Sequence, residues 1–162
     1  AGVTIANAGT ATGFGESNTP AFFAHSSTDQ TGLGNNTTTK VTLQTEIYDT
    51  ASAFTDSRFT VPSGQAGKYI IYGSIRPDAD SNDDLYDSKL FFYLNGSSYY
   101  ESRMNYANNP IRGATNTATI SINLSVGDYV EMYGASNSGG SARSFAGGST
   151  KGTSMGGYKL TT

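Results

Sequence analysis

Apolar and polar residues alternate one for one along several short segments of this chain, and that period constrains the fold more than any other feature. In Thr117–Leu124 every second residue is apolar: Ala118, Ile120, Ile122 and Leu124. A period of two is typical of a β-strand with one buried face. Further strands are predicted at Ala21–His25, Val41–Tyr48, Arg58–Val61, Gly67–Ile75, Lys89–Leu94, Ser98–Tyr106, Tyr129–Gly134 and Gly157–Leu160. Gly, Asn and Pro turns separate these segments, and no window shows helical periodicity, so an all-β sandwich or barrel is expected.

Two of these strands make specific predictions. In Val41–Tyr48 the pattern places Val41, Leu43 and Ile47 on one face. In Lys89–Leu94 both faces are apolar, with Phe91 and Tyr93 opposite the leucines, which indicates a second buried surface beyond the core. Asn95-Gly96 is a strong hairpin signal. Residues 76–87 and 136–148 are predicted to be loops.

Composition excludes several classes of function. The chain has 162 residues, no Cys and a formal net charge of −3, with 14% charged residues. No Lys/Arg cluster could bind nucleic acid, and no apolar run is long enough for membrane insertion. Residues 1–19 are mostly small and are predicted to be an arm or linker, either a flexible tail or an arm ordered on a neighbouring chain. Residues 20–162 form the predicted domain.

Acidic residues crowd one predicted loop and suggest a cation site. The candidate ligands are Asp78, Asp80, Asp83 and Asp84. Dense oxygen ligands suit Ca²⁺, and the spacing begins like an EF-hand loop. It then departs from that pattern, since Asp83 replaces the required Gly and Lys89 the bidentate Glu. A solvated acidic loop is the alternative.

Catalytic chemistry has little to work with in this sequence. His25 is the only histidine, so neither a Ser-His-Asp set nor a zinc site is suggested. Glu46, Glu101 and Glu131 lie on separate predicted strands and give no paired-carboxylate signature. We therefore expect no enzymatic activity and no cofactor beyond the possible Ca²⁺.

Tyrosines are the remaining candidates for binding. Tyr99, Tyr100 and Tyr106, with Arg112, are predicted to contact a ligand or receptor such as a host surface glycan, because Tyr combines a flat apolar ring with a polar tip. The alternative is that the tyrosines fill the sandwich and a seam between subunits.

A set of motifs resembles a known family. Tyr48-Asp49, Phe59-Thr60-x-Pro62, Gly67-x-Tyr69 and Gly127-Asp128-x-Val130 occur in the order found in C1q-like domains, whose jelly roll is shared with the tumour necrosis factor (TNF) family. The likeness covers about residues 19–160. It implies a jelly-roll β-sandwich of about ten strands that packs as a homotrimer around a threefold axis. The absence of Trp and Cys also argues against an immunoglobulin sandwich.

The variant of these motifs is most similar to domains of marine bacteriophage fibre and other virion proteins. The segments that carry this resemblance are Asn18–Phe22, Glu46–Thr50 and Phe59–Tyr69, the last with Gly64-Gln65-Ala66 inserted. It implies a virion surface protein, acting as a receptor-binding fibre tip or a capsid decoration, attached to other virion proteins through residues 1–19. A secreted C1q-type lectin or cell-surface adhesion module is the alternative.

The resemblance also focuses the prediction of subunit contacts. Phe91, Tyr93 and Tyr72 supply more apolar surface than one core needs, so they are the predicted trimer interface. Alternatively, Phe91 and Tyr93 pack under a loop of their own chain. The loops 78–87, 105–115 and 136–153 are predicted to present binding residues.

Overall fold

A computed structural model describes residues 19–79, 84–140 and 143–160. These residues contain β-strands and no helix, which confirms the all-β prediction. No helix in them is therefore available to cross a membrane. The strands are β1 (Ala21–His25), β2 (Gln30–Thr31), β3 (Thr39–Lys40), β4 (Thr45–Asp49), β5 (Phe54–Thr55), β6 (Arg58–Thr60), β7 (Gly67–Ile75), β8 (Pro77–Asp78), β9 (Leu85–Leu94), β10 (Ser97–Asn105), β11 (Asn116–Leu124), β12 (Tyr129–Ser138), β13 (Ser144–Phe145) and β14 (Ser154–Lys159).

Two antiparallel sheets form the sandwich. The first sheet has the order β11-β7-β14-β1-β4, and the second has the order β10-β9-β12-β6-β5, with β3 also paired to β12. A small third sheet, β2-β13-β8, carries the fully buried Phe145. Eight of the described strands have five residues or more, the number of strands in a jelly roll, and the remaining short strands raise the total above the ten or so predicted.

The core lies between the two main sheets. Phe22 of the first sheet stacks on Phe59 of the second, with ring centroids 4.7 Å apart, and on Phe54, with centroids 5.0 Å apart. Tyr69 is fully buried and donates its hydroxyl hydrogen bond to the carbonyl of Gln65 at 2.6 Å. The sandwich is thus closed by aromatic stacking between the layers, with the one buried phenol satisfied.

The clearest sequence pattern is confirmed. Along β11 buried and exposed residues alternate at every position from Asn116 to Leu124. The predicted hairpin is also present, because Asn95 (φ 51°) and Gly96 (φ 80°) join β9 to β10 with both φ angles positive, as a type I′ turn requires.

The prediction of a single strand at Val41–Tyr48 is wrong in its middle. The chain leaves the second sheet after β3 and joins the first at β4, so Val41 and Leu43 are buried in a crossing rather than on a strand face. There the amide of Val41 donates to Met132 O at 2.9 Å. Beyond the crossing, and next to an irregularity in the β1–β4 pairing, Ile47 is 51% exposed instead of sharing the predicted buried face.

Two predicted loops contain strand residues. Residues 76–87 include β8 and the first residues of β9, and residues 136–148 include the end of β12 and all of β13. Polar composition hid these pairings, because their partners are distant in sequence: Phe145 pairs with Pro77, and Asn137 pairs with Asp87. The loops are correspondingly shorter than predicted.

A buried amide joins the two sheets along one side. Asn116 of β11 is 0% exposed. Its Nδ2 donates to Ser88 O and to Ser102 O, both at 3.1 Å, and its Oδ1 accepts from Ser102 Oγ at 2.9 Å. Since Ser88 lies on β9 and Ser102 on β10, this one side chain fixes the first sheet to two strands of the second.

Candidate binding surfaces

The acidic loop is only partly within the described residues. Asp80 and Asp83 lie outside them. Asp78 forms an ion pair with Arg112, whose Nε is 3.2 Å from Asp78 Oδ1. Among the described residues no three His, Cys, Asp or Glu side chains come together as a metal site would need. The Ca²⁺ site that includes Asp84 stays a prediction.

The predicted ligand residues fall into two groups. Tyr99 and Tyr100 lie near the start of β10 and are 51% and 38% exposed. Tyr106 follows the other end of that strand, which places it about 20 Å from Tyr100 at the usual rise per residue. There Tyr106 contributes to a shallow cleft with Asn105, Asn108, Asn109 and Ile111. The structure therefore does not bring the four predicted residues into one site, and their role stays a prediction.

The segments predicted to present binding residues meet at one end of the sandwich. Leu85 and Ile111 form a two-way backbone bridge, with N···O distances of 2.6 and 3.2 Å. Asp78 bridges to Gly113, which brings Arg112 beside the acidic loop. The amide of Gly139 donates to Asp84 O at 2.9 Å. Three segments predicted to be variable loops thus share one edge.

The outer face of the first sheet carries an aromatic patch, defined here as Phe23, Tyr48 and Tyr72. The ring centroids of Phe23 lie 6.3 Å from those of both tyrosines. Tyr48 lies on the edge strand β4 and is 44% exposed, and the residue before it, Ile47, is 51% exposed. Burial, with a hydrogen bond that the Tyr72 hydroxyl donates to Tyr48, raises the pKa of Tyr72 far above its usual range, so this phenol is neutral in any ordinary buffer.

A glycine keeps this aromatic patch flat. Gly156 of β14 pairs with Tyr72, and a Cβ placed on it would lie 2.5 Å from the ring of Tyr72. The absent side chain lets the Tyr72 ring lie against the backbone of β14. The result is an apolar surface that extends across four adjacent strands, β7, β14, β1 and β4.

The outer face of the second sheet carries the other two predicted interface residues. Phe91 is 9% exposed within the single chain and meets Tyr93 edge to face, with centroids 6.3 Å apart. Tyr93 also stacks on Tyr133, with centroids 4.1 Å apart. The predicted interface therefore combines residues of opposite faces, since Tyr72 points away from the first sheet and Phe91 and Tyr93 point away from the second.

Beside these rings lies a nearly buried carboxylate with two cations. Glu131 Oε1 is 2.7 Å from Lys40 Nζ and 2.8 Å from Arg58 Nη2, and its side chain is 3% exposed. Burial opposes ionisation of Glu131, but the hydrogen bonds from Lys40 and Arg58 outweigh it and lower its pKa. The guanidinium of Arg58 also lies 4.0 Å from the ring centroid of Tyr129. We call these residues the Glu131 cluster.

A second cluster of the same composition lies farther along the same face. Asp87 Oδ2 is 2.5 Å from Arg103 Nη2, and Asp87 Oδ1 is 3.8 Å from Lys89 Nζ. The Asp87 side chain is 4% exposed. Lys89 makes its shorter contact to Asn36 Oδ1, at 2.7 Å. We call these residues the Asp87 cluster.

Sequence reasoning missed both clusters and most of the aromatic patch. Lys40 and Arg58 are separated from Glu131 by 91 and 73 residues, so no local spacing links them. Alternation does place Asp87, Lys89, Phe91 and Tyr93 on one side of β9, and this signal was available. The sequence did not reveal which strands lie next to β9, and those neighbours decide which charged side chains meet.

No protein-family model matches the chain, and no curated protein matches it.

Solved structures do share its fold. Eiger TNF from S. frugiperda has a TM-score of 0.60 at 16% identity and covers 87% of this chain and 92% of that one. Murine APRIL at pH 5.0 has a TM-score of 0.59 at 13% identity and covers 86% and 98%. The globular domain of zebrafish complement 1qA has a TM-score of 0.56 at 14% identity and covers 88% and 98%. The chain therefore has a C1q/TNF-like jelly-roll fold, as its motifs implied.

Proposed function

We propose that this chain is a non-enzymatic structural module of a bacteriophage virion, and that it assembles as a homotrimer through the outer face of its first sheet. The observation that carries the assembly is the aromatic patch, with Ile47 at its edge. Outward faces of antiparallel sheets are commonly polar. A flat face of Phe23, Tyr48 and Tyr72 instead favours burial against a partner.

A second and third copy of the same chain are the proposed partners. Soluble assemblies are mostly closed and symmetric, and a threefold ring needs one surface that meets a different surface of the next copy. The aromatic patch on the face of the first sheet and the outer edge of β4, the last strand of that sheet, are two adjoining surfaces of that kind, and Ile47 of β4 is 51% exposed. The threefold axis is the arrangement that the C1q-like resemblance implies.

This proposal divides the predicted interface residues. Tyr72 is buried between subunits, because it belongs to the aromatic patch. Phe91 and Tyr93 face away from the axis, because they lie on the opposite layer of the sandwich. Phe91 is only 9% exposed in the single chain, so its ring needs no further partner to be buried.

Light scattering with two matched tyrosine variants tests the assembly. Tyr48→Ser removes a ring of the aromatic patch that is 44% exposed, and Tyr99→Ser removes one on β10 that is 51% exposed. We expect the parent and Tyr99→Ser to have the mass of three chains and Tyr48→Ser to dissociate at micromolar concentration. A folded parent with the mass of one chain would overturn the trimer.

The virion role is supported by the segments that resemble phage proteins and by the loops gathered at one end of the sandwich. Rigid scaffolds that present loops are where binding residues concentrate. Quantitative mass spectrometry of purified particles distinguishes the two placements. A copy number near that of the major capsid protein indicates decoration, one near that of a tail fibre indicates a fibre tip, and absence from particles overturns the role.

A secreted C1q-type binding module is the second candidate. The structural likeness to the complement 1qA globular domain favours it. Detection of the protein in the medium of cells that carry no phage would support this candidate over the first.

A further inference from the structure

We infer that the outer face of the second sheet binds an acidic saccharide, with carboxylates of uronic-acid type held at the Glu131 and Asp87 clusters and sugar rings on the aromatic side chains between them. The inference deepens the proposed function, and it rests on it in one respect: the trimer leaves this face outward. It concerns other residues than the tyrosines predicted from sequence.

Both clusters hide an acid and expose its bases. The carboxylates of Glu131 and Asp87 are 3% and 4% exposed. The arginines beside them are far more exposed, at 42% for Arg58 and 53% for Arg103, whereas Lys40 is 32% and Lys89 17% exposed. Each cluster has one negative and two positive charges, so each has a net charge of +1. A ligand that approaches from solvent meets the positive groups first.

The net charge of each cluster is opposite in sign to the net charge of the whole chain. The protein has a formal net charge of −3, yet four of its ten Lys and Arg residues belong to these two clusters. Arg is well suited to hold a carboxylate because its planar N–H groups bind two oxygens at once. The hidden acids hold the two arginines in place, which lowers the entropic cost of capturing an anion.

Strand register places the aromatic side chains between the clusters. Phe91 pairs with Tyr133, and Tyr133 pairs with Lys40. One row farther along the strands, Lys89 pairs with Arg103. The backbones of Arg58 and Arg103, the arginines that would hold the carboxylates, are separated by three strand spacings and four residues of rise, which is roughly 20 Å. That is the span of a short oligosaccharide.

The half-buried rings give this span a surface that suits sugars. Tyr93 and Tyr133 stack on each other and keep part of their apolar surface open. Such rings pack against the C–H faces of a pyranose, while their hydroxyls bind its polar groups. A nucleic acid would need a continuous basic stripe, and here four cations are present with three acids among them: the nearly buried Glu131 and Asp87, and the exposed Glu101 opposite Phe91.

The experiment compares two forms of one ligand. Binding of the full chain to a short oligogalacturonate is measured by calorimetry at low salt, beside the methyl-esterified oligomer, which has the same sugar backbone without the charge. We expect the acid form to bind at least about tenfold more tightly, since one charge-assisted contact at each cluster suffices for that ratio. Binding should weaken as salt is raised. Equal affinity for the two forms would overturn the inference.

Variants then locate the site. Arg58→Gln and Arg103→Gln should each weaken binding about tenfold, and Tyr93→Leu should weaken it about three- to tenfold. Lys151→Asn is the matched control, because it removes one positive charge from an exposed loop position whose positive φ (54°) suits Asn. Equal losses in Lys151→Asn and Arg103→Gln would show general charge attraction and overturn the assignment.

Two further measurements keep the outcome decisive. Thermal melts identify a variant that has lost its fold, and Arg103→Lys then replaces Arg103→Gln, since it keeps the charge but not the planar fork. Poly-L-glutamate of similar charge should bind at least about tenfold less tightly, because it lacks rings to stack. Equal binding of the two polymers would show that the face binds any polyanion and would overturn the inference. A trimer that does not bind the saccharide would contradict only this inference. A monomer that binds it would contradict only the proposed trimer.

Discussion

The outer faces of both sheets carry aromatic side chains, but the rings on the two faces differ in how far they are exposed. On the first sheet Tyr48 stays 44% exposed, whereas on the second sheet Phe91 is covered to 9%. The strand register surrounds Phe91 with Lys89, Glu101 and Tyr133, whose long side chains can lie over it. Aromatic content alone therefore does not identify a subunit interface. The neighbours on the adjacent strands decide whether a ring is left open for a partner.

The largest expected effect comes from removing the acid of the Glu131 cluster. Glu131→Gln should lower the free energy of unfolding by about 1.5–3 kcal/mol, because it removes charged hydrogen bonds from both Lys40 and Arg58. The loss stays in this range because the two cations can still reach water. Chemical denaturation measures it.

Glu101→Gln is the control for that variant. Glu101 is exposed on the same face, and its substitution should change stability by less than about 0.5 kcal/mol. Equal losses in the two variants would show that the Glu131 cluster contributes no more to the free energy of unfolding than one exposed charge does. That result would contradict the prediction.

A smaller effect is expected at the aromatic patch. Gly156→Ala should cost about 1–2 kcal/mol, since the new Cβ pushes the Tyr72 ring off the backbone of β14. The same change should weaken the proposed trimer, because the Tyr72 ring no longer lies against the backbone of β14. Gly152→Ala is a milder comparison, with its Cβ 3.2 Å from the mobile Cδ of Arg76. Sedimentation and thermal melts report both quantities, and an unchanged Gly156→Ala oligomer would contradict the flat-face contact.

Acid should remove part of the same electrostatic contribution without any substitution. The pKa of Glu131 is lowered in the folded chain from an ordinary value of 4.5, since the cation hydrogen bonds outweigh the cost of burial. Its contribution is therefore complete above pH 4.5 and is lost as pH falls through the lowered value. The parent should lose more stability than Glu131→Gln between neutral pH and that range. Parallel pH profiles for the two proteins would contradict this.

The smallest effect concerns the geometry of a cation. Arg58→Lys keeps the charge beside Glu131 but loses the planar contact with Tyr129, 4.0 Å from the ring centroid. We expect a loss of about 0.5–1 kcal/mol. Denaturation of Arg58→Lys in the Tyr129→Leu background tests the cause, because the cost should disappear when the ring is absent.

The sequence predicted the layers of this fold better than its surfaces. Thr117–Leu124 was predicted correctly because its alternation reports a single buried face along one uninterrupted strand. Val41–Ile47 shows the limit: the chain changes sheets in the middle of the pattern, and a period of two carries no sign of that. The partners of Glu131 lie on strands distant in sequence, so the cluster depends on a register that local patterns do not contain.

The Asn116 amide has a mechanical consequence. Shear of one layer past the other would stretch its contacts with Ser88 and Ser102 together, because they belong to two strands of the same sheet. Bonds loaded in parallel yield at a higher force than bonds loaded one after another. A pull on the second sheet is therefore transmitted to the first sheet, with little slippage along that margin.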